Sequence, residues 1–116
     1  ELIVAVHLPL RHSGDRQHYR KVGTRMAQSI SKVVLGVRVR VEDGVVSEAR
    51  VAFGSVAAVP LRARAVEAAL VGKPVDPAAA DQVFADITPI DDIRSTADYR
   101  NSVARRILRR ILSHWQ

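Results

Sequence analysis

The side chains able to ligate a metal or move a proton are the first to weigh. Four histidines are present, His7, His12, His18 and His114. No two of them stand at the i,i+4 spacing that would turn both toward one ion from a helix. No His-Glu-x-x-His occurs either, so a helical zinc site has no basis here. His12, Ser13 and Asp15 hold the residue types of a hydrolytic triad. Triads, however, are assembled from distant segments, and close neighbours in one loop rarely reach that geometry. Asp86, Asp91 and Asp92 carry the hard oxygens a divalent cation prefers, but without the spacing of a calcium loop, and they read better as capping acids. No catalytic residue and no metal ligand is assigned.

Phosphate recognition gives an equally bounded answer. Neither G-x-G-x-x-G nor G-x-x-x-x-G-K-[ST] occurs. The chain is therefore not expected to hold a dinucleotide alone. Two basic stretches remain. Tyr19-Arg20-Lys21-Val22-Gly23-Thr24-Arg25 is dense in cations and contains a glycine, which suits an anionic ligand or, equally, a basic surface connector. Near the end, Arg105/Arg109 and Arg106/Arg110 repeat at i,i+4, with Arg100 one turn earlier. That basic side reads as a patch for nucleic acid or an acidic protein, or as a solvated face suited to a helix C-terminus. The second reading is favoured, because Trp 1, Tyr 2 and Phe 2 are too few to interleave as a stacking platform.

These residues sit in a chain of 116 residues, long enough for one domain with its own core. Hydrophobic residues make up 47%, which argues for a globular protein. The net charge of +6 points weakly to an acidic partner. Cysteine is absent, so disulfides, thiolate metal sites and Cys-ligated iron–sulfur clusters are excluded, and a cytoplasmic setting is expected. No apolar run approaches the ~20 residues of a membrane span. Glu1 opens directly on an apolar stretch, which reads as a chain cut from a longer one.

Residues 2–8 (Leu-Ile-Val-Ala-Val-His-Leu) read as a strand ended by Pro9, and 11–16 as a polar loop around Gly14. Tyr19 to Ser29 fits neither the helix nor the strand period. Val33, Leu35, Val37, Val39 and Val41 then alternate with Val34, Gly36, Arg38, Arg40 and Glu42, a strand with one apolar face. A second strand follows, with Val45, Ala49, Val51 and Phe53 on one side and Glu48 and Arg50 on the other. A two-residue Asp43-Gly44 turn would pair Val39 with Glu48. A three-residue loop over 42–44, with Gly44 left-handed, pairs Val41 with Val45 and Val37 with Ala49 and aligns both apolar faces, so the pattern selects it.

Residues 54–59 suit a third short strand or a turn. A helix is expected from Pro60 to about Val71, stopped by Gly72. A second is expected from Pro77 to about Asp86, capped by Asp76, with Ala80, Val83, Phe84 and Ile87 inward. The last helix is expected from Ser95, with Asp98 three residues on, burying Tyr99, Val103, Ile107, Leu108, Ile111, Leu112 and Trp115. Strands first and three helices after give an α+β fold, an antiparallel β-sheet with three helices packed on one face.

Three segments carry a resemblance. Tyr19-Arg20-Lys21-Val22-Gly23-Thr24-Arg25-Met26-Ala27-Gln28-Ser29-Ile30-Ser31-Lys32-Val33 is similar to the Y-R-K-V-G-T-R-x-A-Q-x-I-S-K-V stretch of FAD-binding medium subunits in the xanthine dehydrogenase family of molybdenum hydroxylases. Val51-Ala52-Phe53-Gly54-Ser55-Val56-Ala57, followed by Pro60-Leu61-Arg62-Ala63, resembles that family's A-F-G-G-V-A and P-x-R-A segments. Asp91-Asp92-Ile93-Arg94-Ser95-Thr96-Ala97-Asp98-Tyr99-Arg100 resembles its D-x-R-x-S-A-x-Y-R motif, read here as capping and anchoring the last helix. The matches fall in order along nearly the whole chain. One departure is Ser55, where many relatives have a second glycine.

The resemblance implies the C-terminal domain of an FAD subunit, a CO dehydrogenase flavoprotein C-domain-like sandwich at 10–116. Residues 1–9 would be a strand and junction from the FAD-binding region. FAD would be held mostly by that upstream region, with molybdopterin and iron–sulfur clusters on partner subunits. The domain would complete the flavin site, contact those subunits, and serve electron transfer through FAD to an acceptor such as NAD. Lys21 is the residue the resemblance places beside the flavin, with Tyr19, Arg20 and Gly23 as further candidates. The piece alone is expected to be inactive, and no membrane contact is expected. The rival reading is a small basic nucleic-acid-binding module without catalytic activity, which composition alone suggests; a stand-alone enzyme has no catalytic constellation to support it.

Overall fold

The computed structural model describes residues 1–8 and 10–116. Four strands form one antiparallel sheet in simple chain order: β1 (Asp15–Val22), β2 (Val33–Glu42), β3 (Val45–Gly54) and β4 (Leu61–Arg62). Helix α1 (Arg64–Leu70) follows. A 3₁₀ turn (Pro77–Gln82) then runs into α2 (Val83–Asp86), and α3 (Ala97–Ser113) closes the order. This is the α+β arrangement expected from the order of patterns.

The alternation in β2 and β3 builds the core. Val33, Leu35, Val37 and Val39 are buried on the same face as Val46, Ala49, Val51 and Phe53. Val66 and Leu70 of α1, Ala80 of the 3₁₀ turn, and Leu108 and Leu112 of α3 complete the cluster on that face. Each such Val or Leu, fully buried, contributes about 1.5–3 kcal/mol, so this layer is the main source of stability. The opposite face carries Val34, Gly36, Arg38 and Arg40 beside Glu48, Arg50, Ala52 and Gly54, and these remain partly or largely exposed.

The β2–β3 turn corrects the expected register. The chain takes the two-residue turn: Asp43 (φ 51°) and Gly44 (φ 79°) are both left-handed, and Glu42 pairs with Val45. Val41 then pairs with Val46, but the register shifts, so that Arg40 pairs with Glu48, Val39 with Ala49 and Val37 with Val51. Ser47 is the extra residue of a β-bulge. The bulge reconciles a tight turn with aligned apolar faces, which the three-residue loop was invoked to do. It also turns Val45 out and Val46 in.

Other expectations shift similarly. Residues 1–8 form no strand: they join no ladder, and Leu2, Ile3, Val4, Val6 and Leu8 are exposed, because an extended segment without a paired neighbour leaves its backbone to water. The strand end assigned to Pro9 lies outside the described residues. The loop expected over 11–16 ends early, because β1 starts at Asp15. Pro60 does not open a helix. Leu61 and Arg62 first pair with Phe53 and Ala52, and α1 begins at Arg64.

Asp76 caps as expected, its carboxylate accepting from the Ala78 N–H, but the turn it starts is 3₁₀ before it becomes α-helical. Phe84 consequently points outward and is half exposed. The last helix starts two residues later than expected: Thr96 is the cap, its hydroxyl accepting from the Tyr99 N–H. Tyr99 lies on its outer side, while Arg100 and Ala104 are buried.

Candidate functional site

The cationic stretch singled out in the sequence forms the second half of β1, an edge strand. Antiparallel partners share a face, so the register sorts the candidates. Tyr19 pairs with Gly36 and Lys21 with Val34, both on the open face. Arg20 pairs with Leu35 and faces the helix side, beside α3. The structure therefore brings Tyr19 and Lys21 together and separates Arg20 from them. Gly23 serves the loop that follows: a Cβ there would overlap the Ser29 hydroxyl, so glycine lets the loop fold back on itself.

Two cross-strand rows make the floor of the open face. One runs Tyr19–Gly36–Ala52–Arg62, the other Lys21–Val34–Gly54. Small residues at Gly36, Ala52 and Gly54 leave the backbone bare, and a Cβ built on Gly36 meets nothing within 4 Å. A groove of about 830 Å³ lies over this floor, bounded by Tyr19 on one side and by residues 55–60 and 88–94 on the other. Lys21 stands on the same face in the neighbouring row. Its ammonium group, like the Tyr19 ring, is exposed.

The far wall is held by a buried arginine. Arg100 is 4% exposed. Its Nη1 donates to the Ser55 carbonyl (2.7 Å) and its Nη2 to Asp92 Oδ1 (2.6 Å). The same Asp92 oxygen accepts the Arg94 and Ser95 N–H groups. Burial pushes the Asp92 carboxyl up, but these donors and the Arg100 charge outweigh it and hold the carboxyl below the ordinary aspartate range. The Thr88 N–H adds a bond to the Val56 carbonyl. Ser55 itself is left-handed, with φ 64°. A non-glycine residue there costs on the order of 1 kcal/mol, and the clamp keeps it in place. The second glycine of the resembled motif, replaced here by Ser55, is the sequence signal of that positive φ. In the sequence Arg100 stands as one of the helix arginines, and its burial follows only from its contacts with Ser55 and Asp92.

The remaining candidates resolve into structural roles. Asp15, the acid of the triad considered above, accepts from the His12 backbone N–H and pairs with Arg40 (3.0 Å) and Arg38 (3.4 Å). The His12 N–H, with the two arginines adding to it against burial, holds the Asp15 carboxyl low, where it is a poor base. Asp86 caps α1 through the Ala65 and Val66 N–H groups, and Asp91 accepts the Ala97 N–H. No cluster of three metal-ligating side chains occurs among the described residues. Arg105 and Arg109 pair with Asp81. Among the described residues no helix is long and apolar enough to cross a membrane.

Comparison with known proteins adds to this geometry. Residues 17–115 match the model of the CO dehydrogenase flavoprotein C-terminal domain. A xanthine dehydrogenase FAD-binding subunit from Escherichia coli O157:H7 is 28% identical over 120 residues, which cover 97% of this chain and 40% of that protein. Among solved structures, a carbon monoxide dehydrogenase from Hydrogenophaga pseudoflava superposes with a TM-score of 0.83 at 33% identity, covering 93% of this chain and 39% of that one. A reconstituted CO dehydrogenase from Oligotropha carboxidovorans gives a TM-score of 0.80 at 26% identity, with the same coverage. The chain thus spans about 40% of the length of the relatives it matches.

Proposed function

Because the chain belongs to the CO dehydrogenase flavoprotein C-terminal domain family, we propose that it closes one side of the flavin site in the FAD subunit of a xanthine dehydrogenase-type molybdenum hydroxylase. The observation that carries this reading is the bare row Tyr19–Gly36–Ala52 under an open groove. A planar ring system can lie close to such a floor, where larger side chains would lift it off. The fit is one-sided. The groove has no phosphate-binding glycine loop, so most of the dinucleotide would be held by a region upstream of residue 10, with residues 1–9 as the junction.

When bound, FAD would accept electrons from the reaction centre and release them to an acceptor such as NAD or oxygen. The chain's own residues would shape that environment. Tyr19 would cover one edge of the ring, and the Lys21 ammonium, on the same face, would stabilise negative charge or attract an anionic acceptor. Arg100 would fix the wall through Ser55 and Asp92. Arg20, on the other face, drops out of this site, and Gly23 contributes only through the loop. Molybdopterin and iron–sulfur clusters would belong to partner subunits, in keeping with a chain that has no cysteine. The cytoplasm is the setting this reading implies.

The test is to express the whole reading frame that encodes this chain and measure flavin absorbance. A product carrying FAD is expected. In it, Gly36→Leu should weaken flavin retention, and Lys21→Ala should shift the flavin potential or slow acceptor reduction. A colourless product without FAD affinity overturns the proposal; unchanged potential and turnover in Lys21→Ala remove Lys21 from it.

A further inference from the structure

On the helix side of β1 a second cleft, of about 420 Å³, separates the strand from the C-terminal half of α3. Its floor is apolar, made by Ile107, Ile111 and Trp115. Its rim is basic, made by His18, Arg20, Arg110 and His114, and no carboxylate lines it. Arg16 donates to the Trp115 carbonyl and ties the end of α3 to the strand, so the cleft has fixed walls.

The charges in this cleft differ from those elsewhere on the same helix. Arg100 is paired with Asp92, and Arg105 and Arg109 with Asp81. Among the described residues no carboxylate pairs with Arg20 or Arg110. Two bare guanidinium groups beside an apolar strip repel one another and attract an acidic, partly apolar occupant.

The strand beside the cleft offers a main-chain template. The Val41 N–H bonds to the Gly14 carbonyl and the Lys32 N–H to the Val22 carbonyl, which fixes the alternation along β1. The backbone groups of Gln17, Tyr19 and Lys21 therefore point away from β2, to the free edge. A segment paired there would place every second side chain on the helix side, in step with His18 and Arg20.

We propose that the free edge of β1 and this cleft dock an extended acidic segment of a partner protein, whose side chains on the helix side include carboxylates that meet Arg20 and Arg110 and apolar groups that meet Ile107 and Ile111. The site lies on the opposite side of β1 from the flavin groove and does not depend on that assignment. Nucleic acid fits less well: beside the two imidazoles the cleft holds one large ring, Trp115, which is half-buried, so the row of exposed rings of a stacking platform is missing.

Fluorescence anisotropy on the chain tests this, using labelled peptides of Glu-Ser-Val-Ser repeats, whose every second residue is by turns acidic and apolar, the same repeats with lysine for glutamate, and a single-stranded oligonucleotide. The acidic peptide should bind, and the basic one should not. Arg20→Glu with Arg110→Glu should weaken acidic-peptide binding by about tenfold or more and create affinity for the basic peptide. Lys73→Glu with Arg64→Glu, the same change in net charge on the far side of the sheet from β1, should leave binding unchanged. If the reversed pair misfolds by circular dichroism, Arg20→Gln with Arg110→Gln replaces it and should also weaken binding. Equal losses in the two double variants, or tighter binding of the oligonucleotide than of the acidic peptide, overturn the proposal. So does self-association in ultracentrifugation that the Arg20/Arg110 variant abolishes, because the occupant is then a second copy.

Discussion

The two edges of the sheet are built in opposite ways. Along β3, on the side away from β2, nearly every stretch is covered from within the chain. Ala52 and Phe53 pair with β4. The Ala63 N–H bonds to the Val51 carbonyl, and Val46 exchanges bonds with Gly72 and Lys73. The Val51 N–H, left over by the short β4, is taken by the carboxylate of Glu67 (2.8 Å), which Arg62 also holds through two bonds. Along β1 the same kinds of backbone groups face outward, and the strand is exposed from Gln17 to Lys21. An edge strand rich in Arg, Lys and His resists uncontrolled pairing yet stays available to a chosen acidic neighbour. The contrast separates the edge that is committed to the domain's own stability from the edge that is left open.

The largest expected effect tests the two faces at neighbouring residues. Leu35→Ala should cost about 3 kcal/mol in urea unfolding, because it leaves a cavity under the helices. Val34→Ala, one residue away on the open face, should cost less than about 1 kcal/mol. Comparable losses would mean that the open face is also packed in solution.

The covered edge should be sensitive to acid. Burial works to raise the Glu67 carboxyl, but the Arg62 hydrogen bonds, the Val51 N–H and the nearby Arg62 and Arg64 charges hold it below its ordinary value of 4.5. A carboxyl depressed on folding contributes stability above its unfolded pKa and loses it as pH falls through the folded value. Tm should therefore fall below about pH 4.5, and Glu67→Gln should lower Tm at neutral pH and flatten that acid limb. A variant with the unaltered acid limb would place the dependence on Asp15, Asp81 and Asp92, which are also held low.

The smallest effect concerns the wall of the groove. Ser55→Gly relieves the left-handed strain at the cost of a more flexible unfolded chain and should stabilise by about 0.5 kcal/mol. A loss of stability would mean that the serine side chain supports the wall.

The parts of this architecture legible in the sequence were those with a hydrophobic period. The alternation through Val33, Leu35, Val37 and Val39 gave the central strand and its buried face, and the Asp76-Pro77 pair gave a capped helical start. β1 escaped because Asp15–Val22 is polar on both sides, and an exposed edge strand has no apolar alternation to show. The Ser47 bulge escaped because turn chemistry and face alignment each implied a clean register, and only an inserted residue satisfies both. Within the candidate site, the cationic stretch stood out in the sequence. Its division between two faces did not, since that follows from pairing with β2. The clamp on Ser55 joins residues 45 apart and leaves no local trace.

That clamp also has a bearing on synthesis. β2 and β3 are joined by a two-residue turn and can pair as soon as both have left the ribosome. The wall of the groove cannot set at that point, because Arg100 and Asp92 emerge some 40 residues after Ser55. The same helix carries Leu108 and Leu112, which seal the core. A nascent chain stalled before α3 would hold a formed hairpin with an unset groove, so the groove wall and the finished core form in the same step.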